Sequence, residues 1–190
     1  LNKEWVITAA HCRLNDQTKC TMGVFDRSAN ESFAVTKGVS RVIIHPRYDA
    51  NLFDNDLALL KLESPVTFSN YIYPCCLPKD DHQLRGRVLW LSGWGKDEND
   101  KVTDKLNDVF LSEDTSCALR YDKKKHICAK YHGTSSACQG DSGGPLVLKI
   151  GEQFQLIGVV STVQLGCISP TIFMKVWYYL DWIKRETGII

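Results

Sequence analysis

A serine that stands among glycines is the first feature of this sequence that could do chemistry. Ser142 lies in the run Gly140-Asp141-Ser142-Gly143-Gly144-Pro145. An ordinary serine hydroxyl is a weak nucleophile, and it needs a base in hydrogen-bond reach, a group that orients the base, and donors for the oxyanion that forms. Glycines at positions 140 and 143 allow a sharp turn that presents backbone N–H groups outward. We therefore predict an oxyanion hole at the N–H groups of Gly140 and Ser142.

Two further residues could complete such a site. His11, in the run Thr8-Ala9-Ala10-His11-Cys12, is the candidate base. Asp56 opens the apolar run Asp56-Leu57-Ala58-Leu59-Leu60, which would bury its carboxylate and favour an imidazole partner. Taken singly, each feature has another explanation: the glycine-rich turn could be a plain loop, a His-Cys pair could bind metal, and the aspartate could be a simple cap. Together, in the order His, Asp, Ser, they favour nucleophilic catalysis.

These motifs resemble those of the trypsin/chymotrypsin-like serine endopeptidases, and the resemblance runs the whole length of the chain. The matching segments are Trp5-Val6-Ile7-Thr8-Ala9-Ala10-His11-Cys12, 56–60, 93–95, 76–78, 137–145 and 178–183. The resemblance implies a secreted zymogen that hydrolyses protein or peptide substrates through an acyl-enzyme. His11 would be the base, Asp56 would orient it, and Ser142 would attack. The alternative is a non-catalytic homologue that acts as a binding or regulatory module.

The resemblance also assigns a substrate pocket. The implied substrate-binding residues are Ser136, Gln139, Ser161, Val163 and Thr171. Ser136 would form the floor, and without a carboxylate there we expect little cleavage after Arg or Lys. Val163 and Thr171 would stand on walls that are bare glycine in relatives with a wide pocket, so the preference should be for small aliphatic residues, as in the elastase-like branch. Ser161 would also donate a hydrogen bond to Asp56.

Activation should involve Asp141. In the family, a freed α-amino group from upstream of the histidine motif pairs with the aspartate before the nucleophile. Leu1 falls within an expected strand that leads to His11, so we expect a truncated chain in which Asp141 lacks its partner. Loss of one member of such a buried pair costs on the order of 3–5 kcal/mol. We therefore expect this chain alone to be zymogen-like.

Eight cysteines in 190 residues indicate an oxidising, extracellular compartment. The resemblance implies two disulfides, Cys117–Cys128 and Cys138–Cys167, and it places Leu89 and Leu148 where a third would be. The remaining cysteines, whose pairing stays open, are Cys12, Cys20, Cys75 and Cys76. In relatives, the first of these pairs with a cysteine upstream, and the last bonds a pro-region or light chain. The other two are extra and could bridge each other.

Composition excludes several classes of function. A net charge of +1 favours neither a nucleic-acid nor a membrane partner, and no apolar stretch is long enough to span a bilayer.

The sequon Asn30-Glu31-Ser32 is a candidate glycan acceptor, although a lone sequon is often unused. Val24 replaces a calcium-binding glutamate of relatives, and we predict no metal and no cofactor. The Lys123-Lys124-Lys125 run is typical of a solvated loop. The remaining histidines lack the spacing of metal ligands, and we expect them at surface or turn positions; they are His45, His82, His126 and His132.

Short apolar segments separated by Gly, Asn, Asp and Pro predict an all-β fold. The predicted strands are Glu4–Ala10, Phe33–Ile44, Leu57–Leu62, Val88–Ser92, Val109–Ser112, Pro145–Lys149, Phe154–Ser161 and Thr171–Val176. Only Trp177–Glu186 has helical spacing. The resemblance implies two antiparallel six-stranded β-barrels, the first incomplete here, with a C-terminal helix. The expected units are an N-terminal barrel (1–67), a linker (68–86), a C-terminal barrel (87–176) and the helix (177–190).

Overall fold

The computed structural model describes residues 1–15, 17–96, 101–115, 117, 121–131, 137–163 and 170–189. The strands are β1 (Trp5–Thr8), β2 (Lys19–Met22), β3 (Val35–Ile44), β4 (Ala58–Leu62), β5 (Leu89–Gly93), β6 (Asn107–Glu113), β7 (His126–Lys130), β8 (Pro145–Ile150), β9 (Gln153–Val163) and β10 (Thr171–Lys175), followed by the helix α1 (Val176–Thr187). They form one open four-stranded sheet and one closed six-stranded barrel. The predicted all-β fold, with an incomplete first barrel and a terminal helix, is confirmed. The domain boundaries stay a prediction.

The open sheet has the strand order β1-β4-β3-β2, with antiparallel neighbours. In the β1–β4 pair, Thr8 lies opposite Ala58. β1 therefore ends just before His11 at the same edge of the sheet where β4 begins just after Asp56. This register brings the candidate base and the candidate orienting carboxylate together from positions 45 residues apart.

The closed barrel has the strand order β10-β7-β6-β5-β8-β9. Its interior is filled by large apolar side chains that are almost completely buried, including Leu89, Leu91, Leu111, Leu146, Leu148 and Phe173. β8 begins at Pro145, directly after the glycine-rich run, and β9 carries Ser161. The barrel therefore supplies Ser142 and Ser161, whereas the open sheet supplies the other two candidate residues.

Leu89 and Leu148, the positions at which the resemblance implies a third disulfide in other members, lie in the closed barrel. They lie opposite each other in the β5–β8 pair and are 0% and 2% exposed. Burial of a leucine side chain stabilises a fold by about 1.5–3 kcal/mol relative to an exposed one. The two leucines thus form a buried apolar pair between neighbouring strands.

Helix α1 joins the two parts of the molecule. Its buried residues, Val176, Tyr179, Leu180, Trp182 and Ile183, follow the spacing of one helical face. They share an apolar cluster with Trp5 of β1 and Leu59 of β4 as well as with Val159 of β9. The helix ends at Gly188, whose φ of 70° suits a left-handed C-terminal cap. No helix within the described ranges is long and apolar enough to cross a membrane.

Two strands, β2 and β7, are not predicted by the sequence pattern. β2 is four residues long and half exposed, with Lys19 and Cys20 in place of an apolar alternation. β7 begins with a histidine and contains the small Ala129, so its apolar run is too short to be read as a strand. The other eight strands and the helix lie within two residues of the predicted bounds.

Candidate active site

The carboxylate of Asp56 is the most constrained group of the site. Asp56 is 0% exposed and accepts three hydrogen bonds. The His11 ring Nδ1 lies 2.7 Å from Oδ2, the His11 backbone N–H donates to Oδ1 at 2.9 Å, and the Ser161 hydroxyl donates to Oδ2 at 2.6 Å. A carboxylate only accepts, so Nδ1 carries the ring proton and Nε2 is left as an acceptor. His11 is thereby held in the tautomer that a general base requires.

The Ser142 loop lies against the segment that precedes His11. Gly143 has a φ of 78°, and a Cβ at this position would overlap the Thr8 side chain and approach the Ala9 nitrogen to 3.1 Å. The Cys12 sulfur lies 3.7 Å from the Ser142 carbonyl oxygen, and burial raises the pKa of its thiol. Only glycine permits this close approach, which places the Ser142 loop against residues on both sides of His11 in the sequence.

The hydroxyl of Ser142 is exposed. Among the residues that the structure describes, no hydrogen bond joins this hydroxyl to the His11 ring. Such hydrogen bonds are often long in sites without substrate and tighten when one binds.

Two backbone N–H groups near Ser142 are available for a ligand. Those of Asp141, Gly143 and Gly144 donate to carbonyl oxygens at 2.9–3.0 Å. Within the described part of the chain, neither the N–H of Gly140 nor that of Ser142 donates to a backbone group. Gly140 adopts a φ of 104°, which a side chain would strain. The two N–H groups predicted as oxyanion donors thus have no backbone acceptor among the described residues.

Asp141 has partners that the sequence did not reveal. Its carboxylate accepts the N–H of Gly95 at 2.9 Å and that of Cys138 at 3.0 Å. A Cβ at Gly93 or Gly95 would overlap this carboxylate, which explains the glycines of the Gly-Trp-Gly segment. The Asp141 carboxylate is therefore hydrogen-bonded by backbone N–H groups, whereas its expected pairing with a freed α-amino group stays a prediction.

Backbone strain surrounds the candidate base and its carboxylate. In the described ranges, the non-glycine residues with positive φ are Arg13, Phe53 and Asn55, at 52–53°. Phe53 packs the edge of its ring against His11, with ring centroids 5.6 Å apart. The Asn55 side chain donates to the Arg47 carbonyl oxygen at 2.8 Å. Sequence reasoning missed Phe53 and Asn55, and the only signal for the latter is the tolerance of asparagine for left-handed backbone.

The implied pocket residues are only partly visible. Thr171 of β10 is fully buried and lies opposite Val163 of β9, of which the structure describes the backbone alone. Gln139 is exposed, and its carbonyl oxygen accepts the Lys96 N–H at 3.0 Å. Ser136 lies outside the described residues. The structure thus brings two proposed wall positions into register without showing the floor.

The cysteines divide into bonded and free groups. Cys117 and Cys128 form a disulfide with their Cα atoms 6.2 Å apart, and Cys138 is also disulfide-bonded, although its implied partner Cys167 lies outside the described residues. The free cysteines are Cys12, Cys20, Cys75 and Cys76. No bridge joins Cys20 to Cys75, because the first belongs to the core of the open sheet while the second directs its sulfur to the Phe154 carbonyl oxygen at 3.2 Å.

The expectation of surface or turn positions is wrong for His126. His45 is also buried, at 5% exposure, although its carbonyl oxygen accepts the Tyr48 N–H in a turn. His126 is 6% exposed and starts β7, rather than lying in a turn or at the surface. Its Nδ1 accepts the Asp122 N–H at 3.1 Å, and burial lowers its pKa. Within the described ranges, no group of three or more His, Cys, Asp or Glu side chains could hold a metal ion.

Comparison with known proteins defines the class. The sequence model described as Trypsin matches residues 1–183, and the chain belongs to the trypsin family. It is 36% identical over 209 residues to Serine protease filzig of Drosophila melanogaster, covering 100% of the chain and 12% of that protein. It is 36% identical to Trypsin-1 of Astacus astacus, covering 97% of the chain and 84% of that protein. The same identity to Transmembrane protease serine 5 of Homo sapiens covers 96% of the chain and 44% of that protein.

The chain thus spans most of Trypsin-1 but only about an eighth and somewhat under half of the two longer relatives. Its family is one of serine proteases, which act on protein substrates.

Proposed function

We propose that this chain is the catalytic domain of a secreted serine endopeptidase. The observation that carries the proposal is the buried carboxylate of Asp56, which orients the His11 ring. The free Nε2 of this ring would accept the proton of the Ser142 hydroxyl. The contact of the Ser142 loop with Thr8 and Ala9 supports the same assignment, because these residues shortly precede His11 in the sequence.

The proposed reaction has two halves that use the same groups. His11 Nε2 takes the Ser142 proton while the hydroxyl oxygen attacks the peptide carbonyl carbon, and the N–H groups of Gly140 and Ser142 hold the oxyanion. The imidazolium, stabilised by Asp56, then protonates the leaving amine, which leaves an acyl-enzyme. Water repeats the sequence, with His11 again as the base, and releases the acid and the free serine.

The proposed specificity is for small aliphatic residues on the amino side of the cleaved bond. Val163 and Thr171 are register partners in the antiparallel β9–β10 pair, so side chains at both positions would add volume to the same part of the proposed pocket. The position of Ser136 in the sequence supports a floor without charge. Each methylene in such a pocket changes discrimination by about 1–3 kcal/mol, so the preference should be graded.

A peptide library cleaved by the matured protein tests both the activity and this preference. We expect cleavage after Ala or Val and little after Arg or Phe. The double variant Val163→Gly/Thr171→Gly should gain at least about tenfold in kcat/KM for Phe, because wall volume is removed. The Thr36→Gly variant is the control, since Thr36 is exposed on β3. Cleavage after Arg by the parent protein, or an unchanged preference in the double variant, would contradict the pocket assignment.

A non-catalytic binding module is the weaker candidate. Its support is the replacement of the family Ser-Trp-Gly segment by Ser161-Thr162-Val163. Homologues of that kind have usually lost a catalytic residue. In this chain, the candidates His11, Asp56 and Ser142 are all present. Failure of the matured protein to cleave any library peptide would favour the binding module.

We also propose that the protein is a glycoprotein with a disulfide-linked pro-region or light chain. Asn30 is exposed in the loop between β2 and β3, and Cys76 is an exposed free thiol. Intact mass of the protein from the medium of secreting eukaryotic cells tests both features. N-glycosidase should remove one glycan, and reduction should release a second polypeptide after maturation. Asn30→Gln and Cys76→Ser are the matched controls, and a mass unaffected by either treatment would contradict the proposal.

Zymogen activation is proposed to use Asp141. Its carboxylate is partly buried and accepts two neutral N–H groups. No Lys, Arg or His side chain in the described ranges forms an ion pair with it. Carboxylate oxygens can each accept more than one hydrogen bond, so a freed α-amino group could still bind.

A further inference from the structure

The loop that carries Asp56 is held in an uncommon conformation. Phe53 and Asn55 have φ values of 53° and 52°, in the left-handed region that side chains disfavour. Such a conformation persists only where surrounding contacts over-determine it. The loop alternates these residues with Asp54 and Asp56, so any movement of the strained backbone moves the carboxylate that orients His11.

An ion pair ties this loop to the closed barrel. The Lys125 ammonium lies 3.0 Å from Oδ1 and 2.8 Å from Oδ2 of Asp54, across 71 residues of sequence. Both side chains are largely shielded, with exposures of 23% for Lys125 and 35% for Asp54. Partial burial would raise the pKa of Asp54, but the hydrogen bond and charge of Lys125 bring it below its usual value.

Lys125 is itself anchored in the barrel. Its N–H donates to the Asp122 carbonyl oxygen at 3.0 Å, and its carbonyl oxygen accepts the Lys175 N–H at 2.8 Å. It immediately precedes β7, so its backbone belongs to the half of the molecule that carries Ser142. On the other side of the pair, Asp54 accepts the Asp49 N–H through its carbonyl oxygen at 3.0 Å.

A second, neutral contact acts at the next residue. The Tyr179 hydroxyl of α1 donates to the Asn55 side-chain oxygen at 3.4 Å. This distance is long for a hydrogen bond between hydroxyl and amide oxygen, so the contact is weak. Asp56 has its own link to the barrel through the Ser161 hydroxyl at 2.6 Å. Of the two contacts at Asp54 and Asn55, which precede it, the short ion pair is the stronger restraint.

We infer that the Asp54–Lys125 ion pair is a positioning device that sets Asp56, and through it His11, relative to Ser142. The inference rests on the proposed function, because it concerns the geometry of the proposed reaction. The candidate catalytic groups are divided between the open sheet and the barrel. A restraint between these two halves therefore affects the distance between His11 and Ser142. A displacement of about 1 Å in such a site costs as much as about a hundredfold in rate.

Kinetics of the full-length, matured protein test this role. Lys125→Met keeps the length of the side chain and removes its charge, and we expect kcat to fall by about tenfold with KM nearly unchanged, since a partial displacement affects the reacting geometry more than substrate binding. Lys125→Arg should retain most of the activity. Asp81→Asn is the matched control, because Asp81 forms a similar ion pair with Lys175 at 3.0 Å. An unchanged kcat in Lys125→Met would overturn the inference.

A measurement that needs no turnover separates this inference from the proposed function. The proton on His11 Nδ1 reports its hydrogen bond to Asp56 directly in an NMR spectrum. We expect its resonance to move upfield and broaden in Lys125→Met, and to stay in place in Lys125→Arg and Asp81→Asn. A parent protein without turnover would contradict the proposed function alone, whereas an unmoved resonance in Lys125→Met would overturn the positioning role.

Discussion

Replacement of Ser142 by alanine is expected to lower kcat of the matured protein by about 10⁶-fold, as for loss of a nucleophile that acts as a unit with its base. The physical reason is that no other hydroxyl or thiol is proposed to attack the substrate. KM should change little, because the pocket walls and the Gly140 donor are untouched. Steady-state kinetics on a small-aliphatic peptide substrate measure the effect.

The control for this substitution is Ser40→Ala. Ser40 is an exposed serine of β3, whose hydroxyl donates to carbonyl oxygens of β4 at 3.2 Å. It should keep the parent activity. Retention of more than about a tenth of kcat in Ser142→Ala would show that this serine is not the nucleophile.

Substitution of Asp56 by asparagine is expected to lower kcat by about 10⁴-fold, the size of the effect of the corresponding aspartate-to-asparagine change in a serine protease with a Ser-His-Asp triad. Asp56 accepts from the His11 N–H, the His11 Nδ1–H and the Ser161 hydroxyl. An asparagine amide offers one oxygen and one NH₂, so one of these donors loses its acceptor and the ring is driven to the wrong tautomer. Kinetics and thermal unfolding of the same sample separate the loss of rate from a loss of fold.

Ser161→Ala provides the graded comparison for this carboxylate. It removes one of three donors and leaves the His11 contact, so its loss of kcat should be much smaller than that of Asp56→Asn. Equal losses in the two variants would contradict the view that Asp56 acts mainly by fixing the His11 tautomer.

The chemistry of the site can be read from the sequence because it demands particular residue types. A nucleophilic serine needs glycines around it, a base and a carboxylate, and the runs around Ser142, His11 and Asp56 are rare in combination. The resemblance also pairs Leu89 with Leu148, and the structure places them opposite each other in neighbouring strands. The first signal lies within short runs of sequence, and the second lies in two positions that are considered as a pair.

The rest depends on contacts that no local pattern reveals. Lys125 stands in a run of three lysines that is typical of a solvated loop, yet it pairs with Asp54. The strain at Phe53 and Asn55 is imposed by the tertiary fold and leaves almost no trace in composition. β7 was missed because burial of its histidine comes from the barrel around it and not from its own hydrophobicity.

The most direct test of the central claim is covalent labelling with a fluorophosphonate, read by intact mass and peptide mapping. The full-length protein should be treated before and after proteolytic maturation, with Ser142→Ala as the control. One label per chain, confined to Ser142 and dependent on maturation, is the predicted result. It would establish a nucleophile activated by His11 and Asp56 in an assembled site. Absence of label from the matured protein, or a label on another residue, would contradict the assignment of this chain as a serine endopeptidase.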